Sequence, residues 1–353
     1  MKKKIKYNTS PTVYGTGLVS LDIVVSANSE EPSYHWAGGT CGNVLTMLSY
    51  LGWKSFPIAR LNEDAASMRV KTDMKRWGVD LTYAGQPPST STPIITQENS
   101  IDKKGRPIHK FHWKNCPKCG AWLPNYRAVT LTATADIKEK VSSGNIFFFD
   151  RISPGAIDLA EHFKSLGAII FFEPSAKSDL KQLKRALSLA DIVKYSDKRF
   201  LSSLSDIRSF TSAFLEIQTL GSEGLRYRTH TSSKLDRRWR KLPAFQVSSI
   251  KDTCGCGDWT SAGFISKVCN IKAEDLKKIS EQTVVSGLKY GQALAAWNCG
   301  FEGARGGMYR LSKDTFEKEI QHILESGPLK RKSQERNMAS EILDSEICLC
   351  SSQ

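Results

Sequence analysis

Apolar residues along the chain switch between two spacings, and each switch marks an element. From Val13 to Val25, β-branched and apolar residues gather around Gly15, Gly17 and Asp22. This predicts a strand that emerges into a bend and continues toward Tyr34 and Trp36. Val44, Met47, Leu48 and Leu51 then recur at helical spacing, with Gly52 as a stop. The run Gly38-Gly39-Thr40-Cys41-Gly42-Asn43 stands just before them, so a glycine-rich loop opens this helix. Asn62 to Trp77 predicts another helix, ended by Gly78, with Val79-Asp80-Leu81 leading into a strand. Thr90 to Gln97 and Arg106 to Trp113 predict two strands joined by the polar turn Asp102-Lys103-Lys104-Gly105.

In the second half, short apolar runs alternate with helical patterns. Phe147-Phe148-Phe149 predicts a buried strand, Gly155 to Leu166 a helix, and Ala168 to Phe172 a strand that ends at Glu173-Pro174-Ser175. A helix near Asp179–Leu189, the strand Ile192-Val193-Lys194, a further helix and the strand Phe214 to Leu220 follow. Such a βαβ rhythm implies an α/β fold, a mostly parallel sheet covered by helices on both faces. Ligands of such sheets sit at the carboxyl ends of the strands, where Asp22, Glu173 and the Thr219-Leu220-Gly221 turn gather. Beyond Gly327 the pattern fades, and residues 328–353 form a polar tail.

Composition narrows the class. Hydrophobic content of 40% over 353 residues allows a sizeable core. No uncharged apolar run is long enough to span a bilayer, and the basic start lacks the apolar stretch of a secretory signal. Nine cysteines, mostly scattered singly, argue against a disulfide framework and for a reducing, cytoplasmic setting. The net charge of +14 is partly concentrated between Arg226 and Lys241. That stretch fits a face that steers an anionic substrate or a solvated surface better than a nucleic-acid interface, since no nucleic-acid motif accompanies it.

The chemistry concentrates in Lys251-Asp252-Thr253-Cys254-Gly255-Cys256-Gly257-Asp258, which runs into an apolar helix. Gly255 and Gly257 allow a sharp turn and close approach to a ligand. The helix start presents unpaired N–H groups and the positive end of a dipole, which suits phosphate. Asp258 then lies where a carboxylate can take a proton from an attacking hydroxyl. The plainer reading of the same residues is a loop in which Asp258 only caps the helix.

Taken together, these residues resemble the ribokinase-like, PfkB-type carbohydrate kinase family over roughly residues 12 to 310. Gly38-Gly39 with Asn43 resembles its early signature, and Asp252-Thr253-Cys254-Gly255-Cys256-Gly257-Asp258 its late D-T-x-G-A-G-D motif. The resemblance implies a three-layer sandwich over residues 12–327, with a small β-lid from strands at about 14–37 and 90–113. It implies ATP with Mg²⁺ as donor and a sugar, sugar phosphate or nucleoside as acceptor. Asp258 is then the base, and the amides of Gly255, Cys256 and Gly257 the anion hole. Asp22, Gly38, Gly39 and Asn43 contact substrate; Thr219, Gly221 and Gly224 contact the nucleotide, with Asn298 beside the adenine.

Three departures stand out. Cys256 replaces the usual alanine. Ser196-Asp197-Lys198-Arg199 replaces the N-x-x-E motif that organises the metal, leaving Asp197 or Glu173 as substitutes. This opens a rival reading, a catalytically impaired ligand sensor or interaction protein. Residues 106–127 carry an insertion with Cys116-Pro117-Lys118-Cys119-Gly120, the shape of a zinc knuckle. His109 or His112 would complete a structural Zn²⁺ site there, stiffening the lid or building a contact in a homodimer.

Overall fold

The computed structural model describes residues 10–26, 33–174, 179–197, 213–230 and 238–329. Its central sheet is built from β1 (Thr12–Thr16), β4 (Lys54–Ile58), β7 (Ile146–Phe149), β8 (Ile169–Phe172), β9 (Ile192–Ser196), β10 (Leu215–Thr219), β11 (Leu225–Thr229) and β12 (Arg240–Leu242). The order is β12-β11-β10-β9-β8-β7-β1-β4. The six strands from β4 to β10 run parallel, while β11 and β12 add antiparallel at one edge.

The central strands are apolar throughout because both faces are covered. In β7, Phe147 and Phe149 enter one core, where Phe147 stacks on Phe163 at 4.8 Å between ring centres. Ile146 and Phe148 enter the other. The first core is closed by α3 (Leu131–Lys140), α4 (Pro154–Ser165) and α5 (Leu180–Leu189). The second is closed by α1 (Thr40–Tyr50), α2 (Ala65–Arg76), α6 (Cys256–Val268), α7 (Ala273–Leu276), α8 (Glu281–Asn298), α9 (Gly306–Arg310) and α10 (Lys313–Ser326). Side-chain caps fix several helix starts, with Asp64, Thr130, Ser153, Asp179, Ser280 and Ser312 each accepting a backbone N–H three residues on.

A second, four-stranded sheet forms the lid. Its order is β3-β2-β5-β6, from β2 (Ser20–Ser26), β3 (Tyr34–Gly38), β5 (Ile94–Ile101) and β6 (Pro107–His112). The expected hairpin of β5 and β6 is present, with the turn at 102–105. The stretch Val13 to Val25, however, is divided between the two sheets. β1 belongs to the central sheet and β2 to the lid, with Gly17 between them at φ 145. A Cβ on Gly17 would overlap the Asp150 carboxylate, so only glycine makes this crossing. Residues 79–81 do not enter a strand; Asp80 N–H simply bonds Ser55 O beside β4. The helix expected between β9 and β10, and the tail from residue 330, lie outside the described residues.

Candidate active site

The carboxyl ends of the parallel strands meet the start of α6. Gly255 caps that helix in the left-handed region, at φ 75, and packs against the Ala304 backbone where a Cβ would not fit. The Cys256 amide donates to Thr253 O at 3.4 Å, and those of Gly257 and Asp258, in the first turn, have no carbonyl within α6 to bond. Asp252 holds this loop in place. Its carboxylate accepts from Cys254 N–H at 2.8 Å, Gly303 N–H at 2.9 Å and the Gln97 amide of the lid at 2.5 Å. His109 Nδ1 of β6 lies 3.2 Å from the same carboxylate. Burial acts to raise the Asp252 pKa, but the bonds from His109, Cys254 and Gly303 outweigh it and hold the carboxyl below the usual aspartate range.

Asp258 stands in the first turn of α6, and Asn43 Nδ2 donates to its Oδ2 at 2.8 Å. Asn43 lies one turn into α1, which places the early glycine loop and the late one side by side. Its amide is oriented in turn by Arg305, whose Nε donates to Asn43 Oδ1 at 3.1 Å. Arg305 is 1% exposed, so its charge requires a partner. Asp73 of α2 supplies it at 2.9 Å, Ala37 O accepts from the same Nη2, and Tyr309 OH donates to the Asp73 carboxylate at 2.8 Å.

Asp22 projects from β2 over Gly38. A Cβ on Gly38 would overlap the Asp22 carboxyl, which explains glycine at that position. Asp22 accepts from Ser20 Oγ at 2.7 Å and from Gly39 N–H. Desolvation pushes its pKa up to about 6, against the lowering effect of those two hydrogen bonds and of Arg305. Gly39 itself sits at φ 76 against the Leu18 backbone. Asp22, Gly38, Gly39, Asn43 and Asp258 are thus joined in one linked set with Arg305.

Below Gly257 lies a buried cation. A Cβ on Gly257 would sit 3.6 Å from Lys194 Nζ and 3.8 Å from Glu173 Oε1. Lys194, at 2% exposed, pairs with Glu173 Oε1, and Ser261 Oγ donates to Glu173 Oε2 at 2.5 Å. Both oxygens of Glu173 are therefore engaged. Ser196 ends β9 and Asp197 follows it, while Lys198 and Arg199 lie outside the described residues.

Thr219 closes β10, and Gly221 begins a 3-10 turn that leads through Gly224 into β11. Gly224 adopts φ 94 and packs against the backbone at Leu242 and Ala244, again with no room for a Cβ. Asn298 is placed differently from expectation. It is fully buried, donates to Gly303 O at 3.1 Å and accepts from Gly307 N–H at 3.3 Å. Its amide ties down the loop that carries Arg305 rather than facing open space.

The expected zinc ligands do not assemble. No cluster of three or more His, Cys, Asp or Glu side chains able to hold a metal occurs among the described residues. His109 is taken by Asp252, and His112 Nε2 pairs with Glu98 at 2.9 Å. Both histidines point from a regular strand and stand three residues apart, an odd separation, so they face opposite sides of the lid. Cys116 is buried and Cys119 exposed, in a tight turn closed by Gly120 N–H to Cys116 O at 2.9 Å. Within the basic stretch, three of the described cations have structural partners. The Arg226 and Arg228 guanidiniums each stack 4.6 Å from the Trp239 ring, Arg228 pairs with Glu216, and Arg240 with Glu281.

Comparison with known proteins bears on the family and the fold. The model of the pfkB family of carbohydrate kinases matches residues 24–309. The parallel α/β sheet with its small β-lid is the ribokinase-like fold. The chain belongs to the pfkB carbohydrate kinase family. Among solved structures it is similar to a fructokinase with bound ATP from Xylella fastidiosa, at 18% identity and TM-score 0.63, covering 83% of this chain and 93% of that one. It is also similar to an aminoimidazole riboside kinase from Salmonella enterica, at 17% identity, TM-score 0.62 and coverage of 88% and 99%. A ribokinase from Giardia lamblia matches at 14% identity and TM-score 0.66, covering 90% of this chain and 99% of its own. No curated protein matches the chain. No helix among the described residues is long and apolar enough to cross a membrane.

Proposed function

We propose that this protein transfers the terminal phosphoryl group of ATP to a hydroxyl of a small sugar, sugar phosphate or nucleoside. The observation that carries this reading is the pairing of Asn43 with Asp258 at the mouth of an amide-rich helix start. Phosphoryl transfer asks little covalent chemistry of a protein and depends on positioning and charge. Asp258 accepts the proton of the attacking hydroxyl, and Asn43 holds it in register. The first amides of α6, with the buried Lys194 beneath Gly257, receive the negative charge of the moving group. Asp22, once ionised, accepts a hydrogen bond from a substrate hydroxyl and orients it. The hairpin turn of Thr219, Gly221 and Gly224 offers backbone for the nucleotide.

Magnesium fits this site less well. Glu173 is occupied by Lys194 and Ser261, and the N-x-x-E positions have changed, so Asp197 is the remaining acid at the end of β9. A metal that keeps its waters and binds chiefly through nucleotide phosphates needs few protein ligands.

The test is incubation with Mg·ATP and a panel of sugars, sugar phosphates and nucleosides, reading phosphorylated product by mass. Product from one compound class supports the kinase reading and names its substrate. ATP binding without product across the panel favours the ligand-sensor reading instead.

A further inference from the structure

The residue that departs from the family pattern inside the phosphate loop does not stand alone. Cys256, the first residue of α6, places its Sγ 3.3 Å from Sγ of Cys299, the residue that ends α8. The two are 43 positions apart in the chain, so the contact is made by the fold. Cys256 Sγ also lies 3.9 Å from Ala295 O. The backbone around the pair is fixed from both sides. Cys299 O accepts from Lys251 N–H at 2.8 Å, and Thr260 Oγ1 donates to Cys256 O at 2.8 Å.

We propose that Cys256 and Cys299 form a reversible oxidation site that disables the phosphate loop when a disulfide closes between them. This rests on the kinase reading above for its effect on turnover, though not for the bond itself. A disulfide requires the sulfurs to approach about 2.05 Å, a closure of about 1.2 Å from the present contact. The oxidant is hydrogen peroxide, small enough to reach Cys299, which is 7% exposed. The thiol–thiol hydrogen bond holds the proton on Cys256 and lowers the Cys299 pKa, which makes Cys299 the nucleophile. Its thiolate attacks one peroxide oxygen, the O–O bond breaks, and the departing hydroxide takes a proton and leaves as water. Cys299 is then a sulfenic acid. Cys256 sulfur attacks it, the S–O bond breaks, and the Cys256 proton leaves with the hydroxyl as a second water. The two thiols lose two electrons together and the peroxide gains them.

Closure draws Cys256 toward α8 and with it the turn it makes with Thr253, next to the Gly257 and Asp258 amides that receive the phosphate in the proposed reaction. The Cys299 side of the bond pulls on the loop that ends at Arg305, the residue that orients Asn43. Oxidation therefore acts on both the anion hole and the base.

The test has two independent readouts. Protein treated with hydrogen peroxide, alkylated and digested without reductant is searched for a Cys256–Cys299 cross-linked peptide. ATP turnover is followed in parallel before and after addition of dithiothreitol. The expected result is the cross-linked peptide, with turnover reduced at least tenfold and restored by the dithiol. Cys299→Ser is expected to keep basal turnover and to be insensitive to peroxide; Cys299→Ala serves if the serine does not fold. Absence of the cross-link overturns the proposal, as does a cross-linked enzyme that turns over normally. If wild type shows no kinase activity at all, the kinase reading fails. The site itself is then decided by the peptide and by loss of ADP affinity on oxidation.

Discussion

Asn43 of α1 and Asp258 of α6 are 215 positions apart in the chain and meet at 2.8 Å. Two glycine-rich loops, each opening a helix on the same side of the sheet, are thereby locked to each other. Removing the Asn43 amide frees Asp258 to rotate away from an acceptor hydroxyl. Asn43→Ala is expected to lower kcat by roughly 10²-fold, the scale of a lost positioning contact, while nucleotide affinity stays near wild type. Steady-state kinetics with a separate ADP titration checks this. Unchanged kcat would remove Asn43 from any positioning role.

Arg305 supports that contact from a buried position. Arg305→Met leaves Asp73 as a desolvated charge that keeps only Tyr309 and Ala37 N–H. Breaking a buried pair in this way costs about 3–5 kcal/mol. Urea denaturation is expected to register that loss. Asp73→Asn leaves Arg305 without its counter-charge, so it also destabilises.

The pH dependence follows from Asp22. Its folded pKa of about 6 lies above that of an unfolded aspartate, so the native state binds more protons between the two values. Its contribution to stability is full below the unfolded pKa and is lost as pH rises through 6. Function runs the other way, because only the carboxylate accepts a substrate hydroxyl. KM for the acceptor is expected to fall as pH rises from 5 to 7, with a midpoint near 6. In Asp22→Asn that inflection disappears. A wild-type KM flat across the range would contradict the role.

Gly38 separates packing from catalysis. A methyl group at this position meets the Asp22 carboxyl and displaces it, with no backbone strain because φ is not positive. Gly38→Ala is expected to raise the acceptor KM at least tenfold while nucleotide affinity and circular dichroism remain those of wild type. A variant with normal KM would show that Asp22 does not touch the acceptor.

Much of the fold was legible because the central strands are buried on both faces, and Phe147–Phe149 and Ile169–Phe172 read as unbroken apolar runs. β4 was not, since Lys54-Ser55-Phe56-Pro57-Ile58 is short and holds a proline, which an edge strand tolerates. α3 was missed because Thr132, Thr134 and Asp136 dilute its apolar spacing. The division of residues 12–26 between two sheets turns on one glycine, which a periodicity cannot reveal. The glycine loops and Asp258 were readable from motif and helix chemistry. Arg305, Asp73 and Lys194 were not, because each gains its meaning only from a partner far away in the chain. The one sequence hint at Arg305 is a lone cation set among small residues in Gly303-Ala304-Arg305-Gly306-Gly307. At the Cys116–Cys119 turn the spacing suggested a metal, while the two histidines expected to complete the site are engaged by Asp252 and Glu98.

The decisive measurement is ADP release from Mg·ATP by wild type and Asp258→Asn, run side by side with the accepted substrate. Nucleotide binding by both proteins is measured calorimetrically. Turnover in wild type, a fall of at least 10³-fold in the variant and equal nucleotide affinity are expected. Near-normal turnover by Asp258→Asn would contradict the assignment of Asp258 as the base.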